Sequence, residues 1–229
     1  RLRERGIGLQ QVADELIKEF PDTYVTVIDQ TVAKTQKAVH KQTNDFFKKQ
    51  SGVLIGTQVV LPYLQQGLAV SAIVSLDAAR SIPTWRADES LFRLLLTLRE
   101  NSSQEVLVQT RTETDNLLTY ATRGAIERFY DDELELRKMV QYPPICTFIL
   151  LTWAGTIQAT NDTEELITNT LKEEQIQCYN HPHSTQTKVM RHGLIRLNPE
   201  DKQSYIDTLD RLRSLPPYVK IEVNPERIV

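Results

Sequence analysis

Three basic residues near the end of this sequence, Lys188, Arg191 and Arg196, fall on one predicted strand together with His192. Lysine and arginine bind nucleic-acid phosphates through their charge, and such binding weakens as salt is added. These three residues are therefore candidates for contacting nucleic-acid phosphates. The alternative is a group of solvated residues on an exposed sheet face that binds no ligand.

Arg80 and Arg86 flank the loop that follows Leu76-Asp77, and Trp85 precedes Arg86 directly. A cation beside an aromatic ring could hold a phosphate while the ring stacks on a base. The alternative is the start of an amphipathic helix with Trp85 in the core, and for the tryptophan this interpretation is favoured. Both arginines remain candidates for nucleic-acid contact.

Thr57 and Gln58 follow a short apolar run that Gly56 closes, which predicts a loop after a buried strand. Uncharged hydroxyl and amide groups are suited to contacts with phosphate and sugar. These two residues are a third candidate for contact with a phosphate–sugar backbone. The alternative is a turn in which both side chains satisfy local backbone groups.

The histidines, cysteines and acidic runs give no pattern for catalysis or metal binding. His181 and His183 have no third ligand at a convincing spacing, so they are predicted to lie in a loop. Cys146 and Cys178 are interpreted as small buried apolar residues. The acidic run at 131–135 is predicted to be a solvated helix face. We therefore predict no catalytic residue and no metal ligand.

Composition favours an ordinary globular protein in a reducing, cytoplasmic setting. The 229 residues are 40% hydrophobic and 25% charged, and the net charge is −3 with a pI near 5.9. Because the chain is not basic overall, any DNA contact must come from local clusters. No apolar run reaches the ~18 residues that a membrane span requires. Arg1 in place of methionine leads us to expect a fragment or a processed chain.

Strand-like and helix-like segments alternate over residues 1–140, which predicts a parallel sheet with helical crossovers. Ligands of such sheets gather beyond the carboxyl ends of the strands. The predicted strands are 24–28, 53–55, 72–76 and 105–109, and their ends carry Asp29, Thr57, Asp77 and Thr110.

A second pattern follows Tyr142-Pro143-Pro144, where the prolines end a helix. We place a domain boundary here, which gives domains at 1–143 and 144–229. The second domain has predicted strands at 148–153, 175–179, 189–197 and 218–223, with helices beginning near Asn161 and Asn198. The order β-α-β-β-α-β is typical of a small α+β, ferredoxin-like domain.

Five stretches occur in the same order as segments of a known family. They are GIGLQQVADEL with FP (6–21), LIGTQ (54–58), LD with PTWRADE (76–89), ELELR with YPP (133–144) and VKIEVNP (219–225). In this order they resemble the PriA family of primosomal replication-restart helicases, superfamily 2 motors. The resemblance implies a RecA-like, parallel-sheet second helicase lobe over 1–143, followed by the ferredoxin-like domain. It also implies that Thr57 and Gln58 contact the DNA backbone or couple to the motor cleft. The strand that carries Arg191 and Arg196 corresponds to a basic strand that the resemblance associates with DNA.

The sequence departs from that family where nucleotide should bind. VVLPY (59–63) replaces the family's A-K-G-H-x-F, and LTLRENSS (96–103) replaces its Q-V-A-G-R-A-G-R. Arg99 is a possible remnant of the arginines that the resemblance assigns to the nucleotide phosphates. A phosphate-binding loop and an acidic magnesium box are missing from the sequence. The resemblance implies ATP and zinc as cofactors of the intact family. Because this chain lacks the motifs that bind nucleotide, no cofactor is expected for it alone.

Three functions follow from the resemblance. The first is a chain without ATPase activity of its own that binds forked or single-stranded DNA. Its further partners would be the tail of single-strand binding protein and other primosome proteins. The second is an interaction or scaffold module that has lost nucleic-acid binding, which the acidic pI favours. The third is a fragment of an active ATP-dependent 3′–5′ DNA helicase.

Overall fold

A computed structural model of the chain describes residues 8–29, 35–49, 51–64, 67–172, 174–182, 184–185 and 189–228. These residues form a mixed α/β fold with two small parallel sheets and one antiparallel sheet. The chain folds as two compact units, a first unit (1–82 with 87–124) and a second unit (83–86 with 125–229). The domain boundary placed after residue 143 stays a prediction.

The first unit contains two pairs of parallel strands. Its elements are α1 (Leu9–Glu19), β1 (Val25–Ile28), α2 (Gln36–Phe47), β2 (Val53–Gly56), a 3₁₀ helix (Gln58–Tyr63), β3 (Leu68–Ile73), α3 (Leu76–Arg80), α4 (Ala87–Asn101), β4 (Ser102–Val108) and α5 (Asn116–Arg123). Strand β1 pairs with β2 and β3 pairs with β4, both in parallel. The parallel pairing predicted from the alternation is confirmed, but the described residues form two separate sheets.

One predicted strand of the first unit is misplaced. The strand expected at 72–76 lies at Leu68–Ile73, and Leu76 instead begins α3. The Ser75 hydroxyl accepts a hydrogen bond from the Ala78 N–H at 3.2 Å, which caps the helix. Leu76 is buried, so its apolar character reflects burial at the start of a helix and not a strand.

The second unit is built on one antiparallel sheet with the strand order β6-β7-β5-β8. Its elements are α6 (Ile126–Val140), β5 (Thr147–Gly155), α7 (Ile157–Thr170), β6 (Ile176–Asn180), β7 (Val189–Leu197), α8 (Lys202–Arg213) and β8 (Lys220–Val223). The predicted order β-α-β-β-α-β is therefore present. Helix α7 begins earlier than predicted, because Thr156 and not Asn161 caps it by accepting from the Ala159 N–H.

The two faces of this sheet have different surroundings. Side chains alternate between the faces of a strand. On one face, Ile149, Leu151 and Trp153 of β5 pack with Ile167 of α7 and Leu212 of α8. The other face, called the far face, carries Phe148, Leu150, Thr152, His192, Leu194 and Arg196, as the register of β5 and β7 requires.

Candidate nucleic-acid interface

Two of the arginines that the sequence singled out lie on one aromatic stack of the second unit. The rings of Trp85 and Phe148 meet edge to face, with centroids 5.9 Å apart. The Cζ of Arg86 lies 4.3 Å from the Trp85 ring centroid, and the Cζ of Arg196 lies 5.5 Å from the Phe148 centroid. Both arginines are exposed. The stack therefore presents two guanidinium groups that are 110 residues apart in the sequence.

Trp85 is the buried aromatic ring that lies beneath Arg86 in this stack. Its side chain is 8% exposed, and its Nε1 donates a hydrogen bond to the Pro225 carbonyl oxygen at 2.7 Å. The neighbouring Thr84 hydroxyl donates to the Glu226 carbonyl oxygen at 2.7 Å. The prediction that Trp85 lies in the core is confirmed. Its indole consequently supports Arg86 and does not present an open ring to a base.

A second, buried arginine contacts the same indole. The Cζ of Arg137 lies 5.1 Å from the Trp85 ring centroid. The Arg137 Nε donates to Glu133 Oε1 at 2.8 Å, and its Nη1 donates to the Pro143 carbonyl oxygen at 3.1 Å. These contacts give a physical reason for the ELELR and YPP stretches, since one arginine joins them. They fix the end of α6 beneath Trp85.

Arg196 is positioned without being neutralised. Its Nη1 donates to the Gln177 Oε1 on the adjacent strand at 2.7 Å, an uncharged partner. Within the described part of the chain, neither Arg86 nor Arg196 forms an ion pair. A cation held over an aromatic ring keeps its full charge. The two guanidinium groups can therefore donate hydrogen bonds to the phosphate oxygens of a ligand from solvent.

The register separates the other residues of the predicted basic strand from Arg196. Arg191 pairs across the sheet with Trp153, so its side chain lies on the helix-covered face. There its Nη1 forms an ion pair with Glu164 of α7, while its Nε is buried with no partner among the described residues. Lys188 lies outside the residues that the structure describes. Arg191 and Arg196 thus do not form one patch.

Arg80 lies in the first unit and connects three helices. Its Nε donates to Asp88 Oδ1 at 2.8 Å and its Nη1 to Asp115 Oδ2 at 2.7 Å. Asp115 also caps α5, since its Oδ1 accepts from the Leu117 N–H at 3.0 Å. The hydrogen bond from Arg80 is the main reason that the pKa of Asp115 is lowered. Arg80 therefore holds α3 against the starts of α4 and α5.

Thr57 and Gln58 are exposed after β2: Thr57 lies in the connection, as predicted, whereas Gln58 begins the 3₁₀ helix. Gly56 is needed before them, because a Cβ there would lie 2.9 Å from the Val60 Cγ1 and 3.0 Å from the Ile28 carbonyl oxygen. Thr57 precedes the 3₁₀ helix and its hydroxyl makes no capping bond. The pair is exposed, and a DNA contact there stays a prediction.

Arg99 has a structural contact at the end of α5. Its Nη1 donates to the Ala121 carbonyl oxygen at 3.3 Å. It lies against Gly124, which has a φ of 65° and ends α5. A cation at a helix C-terminus stabilises the helix through its dipole. A role for Arg99 as a remnant nucleotide contact stays a prediction.

A cavity of about 520 Å³ opens on the far face of the second unit. The rings of His181 and His192 lie 4.9 Å apart in it, and the His192 Nδ1 is 2.8 Å from the Thr152 hydroxyl oxygen. Burial, and then the neighbouring His181, lower the pKa of His192. The sequence analysis did not bring His181 and His192 together. It also did not use the four-residue spacing of His192 and Arg196, which puts both on one face of β7.

Metal binding has no support in the part of the chain that the structure describes, where no three His, Cys, Asp or Glu side chains are grouped for it. His181 lies in a loop, as predicted, and His183 is outside the described residues. The described helices include none that is long and apolar enough to cross a membrane.

The two cysteines differ in exposure. Cys146 is buried as predicted, but Cys178 is exposed, so the prediction of a buried residue was wrong for it. It lies on β6, which among the described strands pairs with β7 alone and so forms an edge of the sheet. Desolvation of the thiol and the neighbouring Glu164 carboxylate raise the pKa of Cys178 to about 11.

Similarity to known proteins agrees with the motifs. The chain is 27% identical to replication restart protein PriA of Borreliella burgdorferi over 62% of this chain and 22% of that protein. It is 25% identical to the Chlamydia trachomatis PriA over 76% of this chain and 24% of that protein. It is 27% identical to the Bacillus subtilis PriA over 66% of this chain and 20% of that protein. No protein-family model matches the chain.

These matches confirm the resemblance to PriA that the five sequence stretches predict. The chain spans only 20% to 24% of the length of these three relatives. The activity and partners of the full-length relatives are therefore only proposed for this chain.

Proposed function

We propose that this chain corresponds to the second motor lobe and C-terminal domain of a primosomal replication-restart helicase. In this role it binds forked or single-stranded DNA and contacts other replication proteins, including the tail of single-strand binding protein. The similarity to PriA supports the primosomal part of this proposal. The geometry of the second unit supports the DNA-binding part.

One observation carries the DNA-binding proposal: Arg86 and Arg196 are exposed on a single aromatic stack. Arginine is well suited to phosphate because its planar guanidinium group presents several donors. The buried Trp85 and Phe148 rings fix the two groups, so little conformational entropy is lost when DNA binds. This arrangement compensates locally for a net charge of −3.

The fold assignments are part of the proposal. The sheet order β6-β7-β5-β8, antiparallel throughout, supports a ferredoxin-like domain. The parallel pairs β1-β2 and β3-β4 with their helices support a RecA-like lobe. We place both in the second half of a helicase whose first lobe would bind ATP.

Under this proposal, the chain does not hydrolyse ATP by itself. Hydrolysis requires a phosphate cradle, a cation and a positioned water. The sequence lacks the phosphate-binding loop, and Arg99 is bonded to the end of α5. ATPase assays of the purified chain, with and without forked DNA, are expected to give only background rates. Robust turnover in a preparation free of other enzymes would overturn this part.

An interaction module is the second candidate, and helix α6 favours it. Leu136, Met139 and Val140 near its end are 48%, 75% and 43% exposed. Exposed apolar side chains that lie together often mark protein contacts. This candidate predicts partner binding without any affinity for DNA.

Binding to a fluorescent forked DNA, measured by anisotropy across a salt series, separates the two candidates. The DNA-binding proposal predicts submicromolar to micromolar affinity at low salt that weakens steeply as salt is added. No binding at low salt would reject DNA binding by this chain and leave the interaction module.

A further inference from the structure

The far-face cavity has the size and walls of a small-ligand site. Its volume of about 520 Å³ falls within the roughly 300–1,000 Å³ usual for such sites. The lining residues are Leu150, His181, Pro182, His192, Glu222, Pro225, Glu226 and Arg227. Leu150 is a buried residue of β5, so the sheet itself supplies an apolar wall. The cavity is not used by the arginine stack described above.

The walls of the cavity favour a flat ligand. Two imidazole rings, of His181 and His192, and two proline rings, of Pro182 and Pro225, line it. The Thr152 hydroxyl fixes His192 through its Nδ1. Unpaired bases stack on imidazole and other aromatic rings in many single-strand-binding proteins.

The charges of the cavity nearly cancel. Glu222 is paired with Lys220 at 3.0 Å, and Glu226 lies in the same lining as Arg227. Burial and the neighbouring His181 both favour the neutral form of His192. A phosphate would meet two carboxylates here, and a basic side chain would meet Arg227. A neutral planar group avoids both costs, and its polar edge can bond to the carboxylates.

The position of the cavity relative to Arg196 suits a nucleotide chain. His192 and Arg196 lie on one face of β7, four residues apart, which corresponds to about 13 Å along a strand. A base in the cavity would leave its phosphates outside, on the face that carries Arg196. A phosphate-binding residue and a base-sized cavity thus share the far face.

We propose that the far-face cavity binds one unpaired nucleobase of single-stranded DNA, stacked on His181. The inference rests on the proposed function, because the arginine stack must hold the neighbouring phosphates. Binding here is base-dependent, whereas binding by Arg86 and Arg196 depends on phosphate alone. The two contributions can therefore be separated by removing the bases from the DNA.

The test compares a ten-nucleotide oligo-dC with an abasic oligomer of equal length and charge, each titrated into the full chain. His181→Ala is expected to weaken oligo-dC binding at least about fivefold and to leave abasic binding unchanged. Arg86→Ala/Arg196→Ala is expected to weaken binding of both oligomers. His40→Ala, which changes an exposed histidine of the first unit, serves as the matched control and is expected to change neither.

Each result has one meaning. If His181→Ala binds oligo-dC as the wild type does, or weakens both oligomers equally, the base pocket is rejected and the DNA-binding proposal stands. If neither oligomer binds the wild type, the proposed function itself fails. Imidazole NMR signals of the wild type provide a second readout that does not depend on folding of a variant. The His181 and His192 signals should shift with oligo-dC and not with the abasic oligomer.

Discussion

The indole Nε1 of Trp85 donates a 2.7 Å hydrogen bond to the carbonyl oxygen of Pro225. This bond joins two of the stretches that resemble PriA, PTWRADE and VKIEVNP, across 140 residues of sequence. The backbone N–H of Phe148, in β5, donates a hydrogen bond to the Asn224 Oδ1 at 2.9 Å. The terminal stretch and the 83–86 loop are therefore fastened to one sheet, and Arg86 is carried with them.

Trp85→Phe removes this donor while keeping an aromatic ring in the stack. The Pro225 carbonyl oxygen would lose its partner, so the free energy of unfolding is expected to fall by about 1–3 kcal/mol. Urea unfolding followed by far-UV circular dichroism measures the change. Tyr218→Phe, at a residue 61% exposed, is the control and should change stability by less than about 0.5 kcal/mol. Equal stability of the two variants would show that the Trp85 bond contributes little.

Arg137→Ala breaks a buried network at the end of α6. The Glu133 carboxylate and the Pro143 carbonyl oxygen would both lose the guanidinium that they contact. Removing one partner of a buried ion pair costs about 3–5 kcal/mol, so the unit is expected to unfold at markedly lower urea. Lys138→Ala, whose exposed pair with Glu135 is worth little, is the neighbouring control. A loss similar to that of the control would contradict this account.

His192 makes the stability of the second unit depend on pH. Burial, and then His181, lower its pKa, while Glu222 on β8 acts in the opposite direction. Tyr179 also faces it across the strand pair. Below about pH 6.5, the unfolded chain therefore binds a proton at His192 more readily than the folded chain does. The free energy of unfolding falls as the pH decreases from that value to the lowered pKa.

His192→Gln removes this titration. Between pH 7 and pH 5 the wild type is expected to lose more unfolding free energy than the variant, by at most about 1.4 kcal/mol per pH unit. Urea unfolding at several pH values measures it, with exposed His40→Gln as the control. Parallel pH profiles for the wild type and His192→Gln would exclude the depressed pKa.

Cys178 should be slow to react although it is exposed. Its pKa is raised to about 11 by desolvation and by Glu164, so little thiolate is present at pH 8. Glu164→Gln removes the carboxylate and leaves Arg191 beside the sulfur. The thiolate fraction should rise roughly tenfold for each unit by which the pKa falls.

Iodoacetamide labelling at pH 8, resolved by peptide mass spectrometry, measures Cys178 separately from buried Cys146. Glu165→Gln, on the same helix, is the matched control and should label at the wild-type rate. Unchanged labelling in Glu164→Gln would show that the neighbouring carboxylate does not set the reactivity of this thiol.

Periodicity predicted the elements well where burial and strand propensity agree. Strand β7 was predicted with its observed limits, Val189–Leu197, and the order of strands and helices in the second unit was also predicted. Leu76 was misassigned because an apolar residue at a capped helix start has the same local composition as a strand end. The apolar pattern of a sequence indicates which residues are buried, but it does not reveal that the Ser75 side chain caps a helix.

The candidate site was harder to predict, because it depends on contacts distant in sequence. Arg191 and Arg196 were grouped as one basic strand, yet their odd spacing places them on opposite faces. Arg86 and Arg196 come together only through Trp85 and Phe148. The carboxylates that pair with Arg80 lie 8 and 35 residues away, and nothing in a local pattern indicates them.

The salt dependence of forked-DNA binding by Arg86→Ala/Arg196→Ala tests the central claim most directly. Each lost phosphate contact reduces the slope of log affinity against log salt by about 0.7–0.9, so the variant should show a slope lower by about 1.4–1.8. Arg213→Ala, at an exposed arginine on the helix-covered side, should keep the wild-type slope. A double variant with the affinity and slope of Arg213→Ala would contradict the assignment of this surface to DNA.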